Sequence, residues 1–463
     1  MVIKPNYLIG NSIKYSADME GTASHTEGSH TTAEGIASHT EGSHTTAEGI
    51  ASHAEGSHTT AEGIASHAEG AHTTARANFS HVEGANSLSA GVASHAEGNS
   101  TIALGANSHT EGYFSQACGK NTHAEGSHTT AEGTASHAEG NSTLAYGKNS
   151  HAEGSYTSTG IDNDIKQGNS AHAEGYFSKA YGSSSHAEGY FTFARGTASH
   201  TQGLYTSAHG DAAHAEGNGT IASGDFSHAE GIDTQAIGPY SHTEGIGTTA
   251  KFPGSHIIGK YGEAQEAHSW FIGNGHSNNH KELGAKWLAS TRNMYIDGNT
   301  YVSNGTNYAE MFEIIGEPIE FGIFVTLEGQ YVRKATAEDT YILGITSSAP
   351  SILGNSAEMR WNNKYLINEW GELQYKEIIS FQEIENQAIL NPEWDESKTY
   401  IPRLNRKEWV AVGLLGQICV RDDGTCLVGE YCFPNSHGIA TKADKGYRVM
   451  RRITSECITI ILK

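Results

Sequence analysis

The stretch ASHAEGNSTIALGANSHTEG, residues 93–112, decides the fold. His95 and His109 lie fourteen residues apart, and the same spacing carries a histidine from residue 25 to 151 and again from 172 to 256. Seventeen copies result, interrupted once by seven additional residues. Each copy is two similar halves of the form [Ser/Thr]-x-Ala-x-Gly, here Ser94 to Gly98 and Thr101 to Gly105. A repeat this regular sets the architecture before any single residue does. An α-helix is excluded, because a glycine at least every seventh residue costs about 1 kcal/mol each in a helix interior. The small residues instead alternate with period two, which on a strand sends Ser, Ala and Gly to one face and His and Glu to the other. Each half therefore reads as a short strand ending at a glycine corner.

Two strands per turn around an interior of Ser, Ala and Gly make a thin coil. It buries too little apolar surface to stand alone, so a partner is expected over one outer face. Stacked at roughly 4.7–4.8 Å per turn, the copies make a rod of about 80 Å.

Composition agrees with a fibre. Of 463 residues, 55 are Gly and only 37% are hydrophobic, few for a globule of that length. The net charge of −23 argues against nucleic acid and against insertion into an anionic membrane. Four of the five cysteines (Cys118, Cys419, Cys426, Cys432, Cys457) fall near the C-terminus without a C-x-x-C, which fits reduced structural thiols better than a metal site. The opening MVIKPNYLIGNSIKYSAD lacks the apolar core of a signal peptide, so synthesis in the cytoplasm without export by the usual route is expected.

The half-repeats resemble the head repeats of the YadA-type trimeric adhesins over about residues 22–260. That resemblance implies a left-handed parallel β-roll with three chains side by side. It departs in one respect: the family's axis-facing strand carries apolar residues at the two x positions, and here they are His and Glu. Near residue 250 the period fades, and KWLASTRNMYIDGNTYVSNG (286–305) reads as short strands with turns at Asp-Gly and Asn-Gly. Beyond it, β-branched runs punctuated by turns predict a compact, mainly β domain. There NYAEMFE (307–313), YILGITSSAPSILGNS (341–356), YIPRLNRKEWVAVGLLGQICVRDDGTC (400–426) and GIATKADKGYRVMRRI (438–453) resemble the peptidase G2 family. The resemblance implies an autoproteolytic intramolecular chaperone of phage tail spikes and neck appendages.

The expected organisation is all-β: an attachment segment at 1–21, the β-roll at 22–260, a neck at 261–306 and the chaperone at 307–463. The function expected is a trimeric phage or prophage tail fibre, made in the host cytoplasm and carried on the virion tail. Its expected partners are two further copies, a phage tail or baseplate protein, and a host surface receptor of glycan type. No cofactor is expected. The alternatives are a bacterial trimeric adhesin and a tail spike that hydrolyses glycans. An adhesin of this type should show a signal peptide, a coiled-coil stalk and a membrane barrel. A hydrolase should single out one carboxylate pair, whereas every copy offers the same one.

In the resembled family the cut precedes Asp-Tyr-Ala-Glu, and its Asp and Glu are implicated in cleavage. The matching tract is Asn307-Tyr308-Ala309-Glu310. Glu310 would activate a water or the hydroxyl of Thr306 at the Thr306–Asn307 bond, while Asn307 can neither take a proton nor supply charge. For the His/Glu half-repeat, three readings stay open. It is a solvated face, or it lines the three-fold axis with His95, Glu97, His109, Glu111, His123, Glu125, His137 and Glu139 pairing between chains, or three histidines around the axis hold a divalent ion. Fifteen of the seventeen positions two after the histidine are Glu, which favours a packed face over a drifting solvent face. The aromatics Tyr113, Phe114, Tyr176, Phe177, Tyr190, Phe191, Phe193 and Tyr205 could stack on sugars or fill a groove between chains.

Overall fold

A computed structural model describes residues 18–19, 21–161, 167–297, 304–357, 364–380, 383–399 and 401–463. Nearly all of the expected attachment segment, residues 1–21, lies outside the described residues. Two compact units divide at residues 299 and 300.

The first unit is the expected parallel solenoid. One face stacks the His-Ala strands in register, His81 on His95 on His109 on His123. The other stacks the second half-repeats into a seventeen-stranded sheet, with Leu88, Ile102, Gln116 and Thr130 in line. Alternation sorts the side chains as the pleat requires. Ser94, Ala96, Thr101 and Ala103 are buried, while His95 and Glu97 point outward and stay about one-third exposed.

Glycine is demanded for two different reasons. Gly98 has φ +105°, a left-handed corner, and a Cβ there would fall 2.2 Å from the carbonyl oxygen of Gly112. Gly105 has no unusual φ; its Cβ would lie 1.7 Å from the carbonyl oxygen of Gly119, so close approach of successive turns excludes any side chain. Further corners fall on residues that do not favour them: Ala93, Ser100 and Phe114 have φ of 54°, 59° and 55°. Ladder bonds such as Ser100 N–H to the Ala85 oxygen (2.8 Å) offset the strain of roughly 1–2 kcal/mol at each.

The seven-residue interruption leaves the ladder intact. His151 pairs with His172 and Thr159 with Ala180, so the rungs on either side of the interruption pair directly. The parallel ladder continues past residue 260: Trp270–Asn274 stacks one period after His256. At this end Ile257 and Phe271 replace the interior alanine and, with Ala250 and Ala264, form a wider plug that Leu283 and Leu288 cover. Antiparallel strands Leu283–Trp287 and Met294–Ile296 follow.

The second unit is an antiparallel sheet arranged on one long strand, Trp409–Arg421. Asn307–Glu313 and Gly344–Thr346 pair with its first part, and Cys457–Leu462 with the rest. Its core is conventional: Phe324, Ile345, Ile418, Val420, Ile458 and Ile460 pack together, beside a second cluster around Val325, Val332 and Val412. A hairpin of Tyr375–Ser380 and Glu383–Ala388 stands apart as its own two-stranded sheet.

The glycine contacts make a direct prediction. Gly98→Ala should destabilise the roll locally by about 3 kcal/mol, the upper range for overpacking a tight site. Amide exchange should accelerate around residues 84–112, and unchanged protection there would show that adjacent turns can separate cheaply.

Candidate functional site

Strand Asn307–Glu313 alternates buried and half-buried side chains, with Asn307, Ala309 and Met311 inward. The Thr306–Asn307 bond precedes this strand at a bulged section of its pairing with Trp409–Arg421. The Thr306 carbonyl accepts a hydrogen bond from the Gln417 backbone N–H at 3.0 Å. The Thr306 hydroxyl donates to the Gln417 carbonyl at 2.7 Å. Gly416, at φ +106°, is required here because a Cβ would lie 2.4 Å from the Thr306 oxygen. On the other side of the bond, the Asn307 carbonyl accepts from the backbone N–H and hydroxyl of Ser351, at 2.9 and 3.0 Å. The bond is thus held on both sides, and its carbonyl is polarised by one N–H.

The side chain of Asn307 is buried; its Oδ1 accepts from the Ser347 hydroxyl at 3.2 Å, and its Nδ2 has no hydrogen-bond partner. Glu310 does not join it. Three residues along a strand put the two side chains on opposite faces and their Cα atoms about 10 Å apart. Glu310 instead accepts a short hydrogen bond from Tyr308, and its carboxylate raises the Tyr308 phenol above its ordinary range. Within one chain, then, Thr306 and Asn307 are brought together and the carboxylate is not. A cleft of about 580 Å³ opens beside the bond, lined by Thr306, Asn307, Ser347, Arg421, Arg451 and Glu456 among others. Gly416, Gln417, Ser347 and Ser351 escape sequence reading, although a glycine inside the apolar run LLGQICV signals an irregular strand.

On the roll, the outward histidines form one continuous stack. Ring centroids are 4.6–4.9 Å apart along His81, His95, His109 and His123, and the planes are nearly parallel. Each Nε2 faces carboxylates of its own chain: His95 lies 3.4 Å from Glu83 and 3.9 Å from Glu97, and His123 lies 3.6 Å from Glu125. Burial, followed by the neighbouring imidazoles, pushes His67, His81, His95 and His109 below the ordinary imidazole range. The glutamates alternate. Hydrogen bonding to Glu111 lifts Glu97 to about 7 and hydrogen bonding to Glu83 lifts Glu69 to about 7, while Glu83 is lowered by its bond to Glu69 and Glu111 by its bonds to Glu125 and then Glu97.

The exposed aromatics also stack on one another: Tyr156 on Phe177 at 4.9 Å, Phe177 on Phe191 at 4.7 Å, and Tyr176 on Tyr190 at 5.1 Å. A sugar stacks on a ring face, and Phe177, Phe191, Tyr176 and Tyr190 each have at least one face covered by another ring, while Tyr113 and Tyr205 meet their neighbours edge-on.

A family model described as "Peptidase_G2, IMC autoproteolytic cleavage domain" matches residues 257–458. Those residues belong to this family. The chain is 38% identical over 141 residues to the preneck appendage protein of Bacillus phage PZA, covering 30% of this chain and 16% of that protein. It is 37% identical over 155 residues to the pre-neck appendage protein of Bacillus phage phi29, covering 33% and 17%. The chain thus spans less than a fifth of these relatives' length. Among solved structures, a C-terminal fragment of bacteriophage phi29 gene product 12 is 33% identical, over 34% of this chain and 100% of the fragment, with a TM-score of 0.30.

The buried amide gives the next prediction. A carboxylate at residue 307 would have one hydroxyl donor and little water, so its folded pKa should rise above the unfolded value of about 3.9. Asn307→Asp should therefore match the parent near pH 4 and lose about 2 kcal/mol as pH rises through the raised pKa. Urea unfolding across that range tests this; equal stability at pH 8 would mean that a cation reaches the site.

Proposed function

We propose that this chain is a trimeric, tail-associated fibre protein of a phage or prophage, that it attaches the particle to a host surface, and that its C-terminal unit is a chaperone released between Thr306 and Asn307. The observation that carries this reading is the joining of a self-similar ladder to a domain of an autoproteolytic family. Likeness to phage pre-neck appendage proteins supports a place on the particle. A trimer is supported by the thin interior and by exposed apolar side chains such as Ile36, Ile50, Ile64, Val92 and Leu104 along the roll. Neighbouring chains would cover them.

The separation of Glu310 from the bond bears on how cleavage would proceed. We place the cut in the assembled state, with the carboxylate of one copy acting on the Thr306–Asn307 bond of another. A chain alone would stay intact, which ties release to correct assembly. Asn307 makes the reaction slow, since the amide cannot share a proton with the acid. Glycan hydrolysis is disfavoured by the uniform carboxylate row.

Sedimentation and intact mass spectrometry test this together. The expected particle is a trimer that slowly yields fragments of 306 and 157 residues of the 463. Co-expression of the parent with a mass-tagged Glu310→Ala chain should give cut tagged chains, which a reaction within one chain cannot produce. A stable full-length monomer, unchanged after prolonged incubation, would overturn both the trimer and the release.

A further inference from the structure

The outward face of the roll repeats one arrangement that no part of the proposed attachment or cleavage uses. Two stacked histidines and the glutamate between them bring three ligand atoms within 4.8 Å of one another; His53/Glu55/His67, His95/Glu97/His109, His123/Glu125/His137 and His151/Glu153/His172 are four such groups. We propose that this face is a linear array of binding sites for a divalent transition-metal ion such as zinc, each built from two imidazole Nε2 atoms and one carboxylate of a single chain.

Three observations carry this. First, the Nε2 atoms of His53, His67, His95, His109, His123, His137 and His151 are each shielded from solvent and lack a hydrogen-bond partner. A row of shielded nitrogens without partners is costly unless something binds them. Second, the spacing suits an ion better than a proton. His53–Glu55, His123–Glu125 and His137–Glu139 have N···O distances of 3.6 Å, too long for a hydrogen bond, whereas His172 and Glu153 at the interruption are hydrogen-bonded at 3.1 Å. Two ligands at 2.0–2.2 Å from a tetrahedral ion lie roughly 3.3 Å apart, so a small side-chain shift closes the site, and a tilt of the two stacked rings brings their nitrogens to a shared ion. Third, the carboxylates stack in register, Glu125 on Glu139 on Glu153, and this row of like charges has no lysine or arginine paired to it in any described ion pair. A cation between rungs supplies the missing counter-charge.

The donor set selects the metal. Imidazole with carboxylate suits zinc, nickel, copper or cobalt, whereas magnesium requires oxygen ligands. The stoichiometry is also bounded: each Nε2 has one lone pair and serves one ion. Seventeen ladder histidines therefore hold at most about eight ions per chain, one for every two rungs.

The test uses the full chain stripped with a chelator and then dialysed against micromolar zinc, with metal counted by mass spectrometry and stability followed by melting. Expected are several zinc ions per chain, no more than eight, and an upward melting shift of about 5 °C or more that magnesium does not reproduce. The double variant Glu97→Gln, Glu125→Gln keeps the shape of both sites and should lose two ions. The exposed row His30, His44, His58 and His72 stacks at 4.5–4.7 Å without being part of these groups, and changing it to Asn should leave the tight ions in place. Full retention of zinc by the glutamine variant, or loss of all zinc with the exposed row, overturns the proposal. Should the variant fail to fold, the parent alone decides: no retained zinc, or an equal melting shift with magnesium, refutes it.

Discussion

Successive turns of this roll lie about 4.8 Å apart, so every side chain faces its own equivalent one period away. All else in the first unit follows from that constraint. A residue type is admitted only if it tolerates itself as a neighbour: alanine fills the interior as a column, and glycine stands where, as at Gly98 and Gly105, a backbone oxygen lies 2.2 or 1.7 Å from any added Cβ. Histidine succeeds because flat rings stack at this spacing. Glutamate is the exception, since stacked carboxylates repel by about 1 kcal/mol per pair in water and more where half-buried. Without an ion between rungs, the repulsion splits their proton affinities, lifting Glu69 and Glu97 to about 7 and lowering Glu83 and Glu111.

The same constraint explains what could be read from the sequence. The inward direction of Ser94 and Ala96 and the outward direction of His95 and Glu97 follow from alternation on a strand, a property of covalent geometry. The corners did not follow. Ala93, Ser100 and Phe114 take positive φ because the rungs above and below impose the path, and nothing in alanine or phenylalanine announces it. Nor did the seven-residue interruption reveal its form. A length equal to half the period invites a half-turn, yet His151 still meets His172 on the same face.

At the bond between Thr306 and Asn307 the balance reverses. The tract itself was readable, through its likeness to a family motif, but its surroundings come from distant segments: Ser347 and Ser351 about forty residues on, and Gln417 more than a hundred. No local pattern encodes those contacts. The face of Glu310 could have been deduced, because an odd spacing within a strand separates two side chains by the thickness of the sheet. The family motif names Glu310, but the alternation of the strand decides which face it occupies.

Self-similarity has a cost that the second unit is suited to answer. Slipping one copy of the roll against another by a rung exchanges His for His and Glu for Glu on the first face, and over the first few copies the second face is repeated as well, so there register carries almost no energy. The copies up to about residue 64 are nearly identical, and the features that break the degeneracy lie beyond them: Val82, Thr110 and Thr201 in place of the interior alanine, the varied second face with Leu88, Ile102, Gln116, Lys179 and Phe193, the interruption after Gly160, and the plug of Ile257 and Phe271. Pairing that begins at the C-terminal end of the roll meets distinct residues first and reaches the uniform rungs already in register, whereas pairing that begins near residue 25 meets uniform rungs first and can settle out of register. A non-repeating unit with a core of Phe324, Ile345, Val420 and Ile460 follows the roll in sequence at that same end, and in the proposed trimer its association would select one register for every turn before it.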